Sequence, residues 1–341
     1  MGPEYYRDLA HRLDDDLRSG VPEEGPVADL EREIHNLRGA VGFGLAAGDV
    51  ELVRTITVAL PQYWLSRGLY GEERLWLERA LALSETEDDT RRRLLSSLGL
   101  VAYVQRDFEV AKASSERAAS LAAELGGATS RLDLLGQQGR AAIMAGDFEA
   151  ANRLFRERLT LAVEVDNGVA ISSCRLNLAA IANLEGRHDA ADDLLAENLP
   201  FTRSRGQVTC ETHTLAGQAE ILGRYRGRPE DGGEEALRAS ELAVALNDRP
   251  MAAYCLDLVA LSAVARGDLR LGSTLLAATE AARERMGYEA DEDEEAIRAP
   301  ALELLGADIA ASDTWMQGRV LDLPEALELA KDGWPTASPL G

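Results

Sequence analysis

Cys210-Glu211-Thr212-His213 sets a thiol and an imidazole about one helical turn apart. That pairing is the minimum a nucleophilic cysteine needs, and with Cys174 it offers three donors to a metal. No fourth ligand and no Cys-x-x-Cys accompanies them, so the plainer reading is a packed thiol beside a half-exposed histidine. Gly42-Phe43-Gly44, followed by Gly48, looks like a dinucleotide loop, but the spacing is wrong and no strand precedes it. Those glycines answer better to close helix packing, at a cost of about 1 kcal/mol each relative to alanine. His11, His35 and His188 are scattered, and Trp64 and Trp76 flank a turn where packing accounts for them. No Gly-x-x-x-x-Gly-Lys-Ser/Thr loop occurs, and the two lysines, Lys112 and Lys331, stand far from any such loop. The residues therefore point to no catalytic set, no metal and no cofactor.

The elements that carry these residues follow a fixed period. A turn reads Arg106-Asp107-Phe108-Glu109, then Gly146-Asp147-Phe148-Glu149, then Gly186-Arg187-His188-Asp189. It returns at Gly227-Arg228-Pro229-Glu230, one residue late, and at Gly267-Asp268-Leu269-Arg270, back on a spacing of 40 residues. Self-similarity at such a period is the mark of a solenoid, in which each repeat buries its apolar face only against its neighbours. Alanine and leucine dominate, which favours helix. Helix pairs are expected near 88–124, 127–165, 168–204, 207–247 and 250–286, each second helix opening at the turn, where aspartate caps free N–H groups. Helices are also expected over 4–18, 27–47, 49–67 with a kink at Pro61, 71–83 and 291–304, with two shorter ones closing the chain. The resulting division is 1–87 for the N-terminal helices, 88–286 for five repeats, 287–331 for capping helices and 332–341 for a flexible tail.

Inside each pair the spacing resembles the tetratricopeptide motif. Gly99 precedes Ala111 by 12 residues, Gly139 precedes Ala151 and then Phe155, and Ala179 precedes Ala191. The fold class is thus an all-α, right-handed α-solenoid of tetratricopeptide-like pairs with a period of about 40. By that likeness the inner positions of the first helices line a groove. The polar residues there are Arg93, Tyr103, Arg140, Asn183, His213, Glu220, Arg224 and Tyr254, with Asp257 also on the lining of the last repeat. Three arginines in such a wall are suited to a carboxylate or an acidic peptide through paired N–H···O bonds.

The net charge is -23. A surface of that sign does not neutralise phosphates, so no direct contact with nucleic acid is expected. No stretch approaches the roughly 20 apolar residues of a membrane span. Three cysteines without a short-range framework read as reduced packing residues in a cytoplasmic protein.

A wider resemblance rests on Leu30-Glu31-Arg32-Glu33-Ile34-His35-Asn36-Leu37-Arg38-Gly39-Ala40, on Tyr63-Trp64-Leu65-Ser66-Arg67-Gly68, and on Arg74-Leu75-Trp76-Leu77-Glu78-Arg79-Ala80-Leu81. Leu275-Leu276-Ala277-Ala278-Thr279-Glu280, Arg283-Glu284-Arg285-Met286-Gly287, Trp315, Gly318 and Glu325-Ala326-Leu327 extend it. Together they resemble the C-terminal tetratricopeptide region of large ATP-binding transcriptional regulators of the antibiotic-regulatory and LuxR type. The resemblance implies a non-enzymatic sensing or interaction module whose groove takes a protein, a peptide or a small anionic ligand. It implies neither DNA binding nor ATP hydrolysis for this segment. Two other readings stay open: a repurposed solenoid acting as an enzyme or small-molecule binder in a biosynthetic pathway, and an oligomeric scaffold.

Overall fold

The computed structural model describes residues 2–19, 24–306 and 308–334. Part of the expected break between Ser19 and Val27, and the tail from residue 335 on, lie outside them. Among the described residues there are eighteen α-helices and no strand. They are α1 Pro3–Ser19, α2 Glu24–Ala47, α3 Val50–Ala59, α4 Pro61–Arg67, α5 Tyr70–Ala82, α6 Asp89–Val104, α7 Phe108–Leu125, α8 Ala128–Met144 and α9 Phe148–Glu164. After these come α10 Gly168–Leu184, α11 His188–Ser204, α12 Val208–Glu220, α13 Gly233–Ala245, α14 Arg249–Ala265, α15 Leu269–Met286, α16 Glu292–Leu305, α17 Asp313–Arg319 and α18 Leu323–Gly333. The architecture is an all-helical repeat solenoid, as the period requires.

The repeated turn works as the sequence suggests. Its first residue takes a left-handed backbone, with φ of 62° at Arg106, 73° at Gly146, 75° at Gly186, 61° at Gly227 and 89° at Gly267. That conformation lets the chain reverse after a helix, and glycine adopts it without Cβ strain. The aspartate that follows then caps the next helix: Asp107, Asp147 and Asp268 accept from the backbone N–H of Val110, Ala150 and Leu271. The small residues admit close helix contact. A Cβ at Gly99 would stand 2.5 Å from Ser115 Oγ, and one at Gly139 would stand 2.7 Å from the ring of Phe155.

Two differences from the sequence reading have local causes. Pro61 does not kink one helix; it starts a new one, α4, because proline lacks the N–H that would continue α3. The fourth repeat carries its extra residue in a π-helical turn, Ile221–Tyr225, at the end of α12. One widened turn absorbs one residue, after which the spacing returns to 40.

Contacts group the chain into two compact units. The first comprises 1–65, 69–185 and 200–210; the second comprises 66–68, 186–199 and 211–341. In the first, α1 buries Leu9, Ala10 and Leu13 and packs on α2, α3 and α10. In the second, α14 is buried along nearly its whole length, including Asp257, Leu261 and Val264, because α13, α15, α16 and α18 pack around it. Asp332 and Gly333, expected in the tail, belong to α18, and the Trp334 ring lies 4.5 Å from the guanidinium of Arg266.

Candidate functional site: an arginine-lined pocket and two polar clusters

The polar inner positions fall into separate groups. Within the first unit, α6 supplies Arg92 and Arg93, α8 supplies Asp133, Gln137 and Arg140, and α9 supplies Arg158. These residues line a pocket of about 190 Å³. Arg93 is not free: it donates to both carboxylate oxygens of Asp14 on α1, at 2.8 and 2.5 Å, and to the Val58 carbonyl at 3.3 Å. Arg92, 1% exposed, pairs with Asp89 at 2.8 Å and Asp133 at 2.9 Å. One of its terminal nitrogens is buried with no hydrogen-bond partner. Arg158 donates only to neutral acceptors: the Leu132 carbonyl at 2.9 Å, Ser173 Oγ at 3.2 Å and Cys174 Sγ at 3.5 Å. Arg140 remains exposed, yet the protein around it and the nearby charge of Arg158 lower its pKa below the ordinary arginine value, with Asp133 opposing.

Tyr103 is 41% exposed and lies with its ring 5.9 Å from that of Phe108. Asn183 is buried on α10. Neither lines the arginine pocket.

The second unit collects the other four residues differently. Glu220 accepts from Tyr254 Oη at 3.0 Å and from Arg224 at 3.0 Å. Arg224 also donates to Asp293 at 2.8 Å. Burial raises the carboxyl pKa of Glu220 and raises the Tyr254 phenol well above its usual range. Arg224 sits in the π-helical turn, 5.1 Å over the ring of Tyr225, and one of its terminal nitrogens donates to both carboxylates. This set joins the end of α12 to α14 and the start of α16. Sequence reasoning reached three of its members and missed Asp293, in the first turn of α16. His213 stands apart, exposed, while the protein around it pushes its imidazole pKa down. Cys210 is buried.

Asp257 corrects the reading of the last repeat. It is 1% exposed and faces two buried arginines, Arg283 at 2.8 Å and Arg298 at 3.0 Å. Thr279 Oγ1 donates to it at 2.5 Å. This is an interior charge network and no part of a groove wall. None of the three cysteines is in a disulfide, and all are buried. Among the described residues no group of three or more His, Cys, Asp or Glu is arranged to hold a metal ion. Among them, too, no helix is long and apolar enough to cross a membrane.

No protein-family model matches the sequence. No curated protein matches it either. Solved structures do resemble it in fold. A Rap protein complexed with competence and sporulation factor is 12% identical, covers 93% of this chain and 100% of its own, and superposes with a TM-score of 0.51. BtubC (BKLC) from P. vanneervenii is 17% identical, covers 69% of this chain and 93% of its own, with a TM-score of 0.42. At such identity the Rap likeness speaks to the fold, an all-α helical-repeat solenoid of the tetratricopeptide kind.

Proposed function

We propose that this chain is a non-enzymatic binding solenoid, the ligand- or partner-sensing module of a bacterial transcriptional regulator. The observation that carries the reading is the state of Arg140 and His213. Each occupies an inner position of the first helix of a repeat and is exposed, yet the surrounding protein disfavours its charged form. Arg140 lines the recess between α6, α8 and α9, and such recesses are where solenoids take their ligands. The Rap structure, a complex with competence and sporulation factor, supports a binding role for such a fold. The sequence resemblance to the tetratricopeptide region of ATP-binding regulators supports the regulatory setting. The enzyme reading has less support, since the sequence carries no recognisable nucleophile–base pair and no cofactor motif.

Native mass spectrometry of the chain purified from its own host tests this reading. A stoichiometric adduct, protein or small molecule, is expected on the wild type, and it should be lost after charge reversal at Arg140 or substitution at His213. A bare chain, or an adduct indifferent to both changes, would count against it.

A further inference from the structure

The pocket between α6, α8 and α9 holds four guanidiniums in a protein whose net charge is -23. Three carboxylates answer them: Asp14 on Arg93, and Asp89 and Asp133 on Arg92. One positive charge is left over, and it is shared by Arg140 and Arg158. Gly136 brings these two together. A Cβ there would stand 3.0 Å from Arg158 Nε and 3.5 Å from a terminal nitrogen of Arg140. Two like charges thus stand over one missing side chain, and among the described residues neither forms an ion pair with a carboxylate. Arg92 lines the same pocket.

We infer that this pocket is a binding site for the carboxylate of a small monoanionic acid. The carboxylate would accept from Arg140 and Arg158. Paired, planar N–H donors suit a planar carboxylate. The surplus of one charge suits a monoanion better than a phosphoryl dianion. The volume, about 190 Å³, is the share of roughly six waters in the liquid, enough for an acid of a few carbons. α1 packs on α3 and α10, and its Asp14 holds Arg93, so the face beside the pocket does not present an open peptide groove. The inference rests on the proposed binding role and names the ligand chemistry of one site within it.

The test is a fluorine NMR titration of the full chain at low ionic strength, with trifluoroacetate as the carboxylate probe. Saturable broadening is expected, reversed by acetate. Arg140→Ala and Gly136→Ala should each weaken binding by tenfold or more, while Arg238→Ala, on an exposed face of α13, leaves it unchanged. The melting temperature of Arg140→Ala without the probe should be no lower than that of the wild type, because the change relieves repulsion from Arg158. Unchanged binding in Arg140→Ala would overturn the site. Inorganic phosphate competing more than tenfold better than acetate would overturn the carboxylate assignment. A free-acid tripeptide doing so would replace the small acid by a peptide terminus. The titration uses purified protein alone, so its failure leaves a partner-binding face untouched, and the lack of a host partner leaves the titration standing.

Discussion

Glu73, in the first turn of α5, has no exposed surface, and neither carboxylate oxygen has a hydrogen-bond partner. Burial pushes its pKa up to about 9. A carboxyl held protonated in the fold but released in the unfolded chain favours folding at low pH. Its contribution is intact below about 4.5 and is lost as the pH rises through about 9. Between pH 6 and 8 it should lower stability by about 1.4 kcal/mol per pH unit. Glu73→Gln is expected to be more stable than wild type at pH 8 and to flatten that slope. Urea unfolding across the range checks this, and parallel curves for the two proteins would show that Glu73 stays ionised. The arginines show how far single residues can be read without coordinates. Position and charge were legible for Arg93, Arg140 and Arg224. Their partners were not, since Asp14 and Asp293 lie 79 and 69 residues away on helices outside the repeat pattern. Only Arg140 kept the free guanidinium that its position suggested. The orphan nitrogen of Arg92 left no trace in the sequence, because burial and satisfaction are tertiary properties.

The repeat turn fixes its helices through the aspartate cap. Asp147 caps α9 and forms no ion pair among the described residues, so Asp147→Ala isolates the cap and should cost about 1 kcal/mol. The midpoint of urea unfolding measures it, and no shift would mean that tertiary packing alone sets the start of α9. A larger effect belongs to the interior of the second unit. Asp257→Ala would strand Arg283 and Arg298 without a shared counter-charge, at about 3–5 kcal/mol. A loss under 1 kcal/mol would show that Glu294 and Glu280, which also contact these arginines at 2.9 and 3.3 Å, are sufficient. The helix pairs were legible from sequence to within a few residues because the period recurs at every turn, and at most turns a glycine or a capping aspartate marks it. The late fourth turn was legible as an extra residue, but its resolution as a π-helical turn was not. A one-residue insertion fits equally well in a loop, and side-chain packing decides where it goes.

For the molecule as a whole, charge is the strongest constraint. At -23, the chain should give no mobility shift with duplex DNA at micromolar concentration and physiological salt, since binding requires clustered cations to displace counter-ions. A salt-sensitive shift would reveal a basic patch that the net charge hides. Against that acidic background a pocket with one unanswered positive charge selects anions by contrast as well as by contact. The most direct measurement is calorimetry of the ligand released from the native complex, titrated into the wild type and into Arg140→Ala. The account predicts a loss of affinity of tenfold or more, about 1.4 kcal/mol or above, with no fall in melting temperature. Equal affinity in the two proteins would contradict it and move the recognition site away from the arginine pocket.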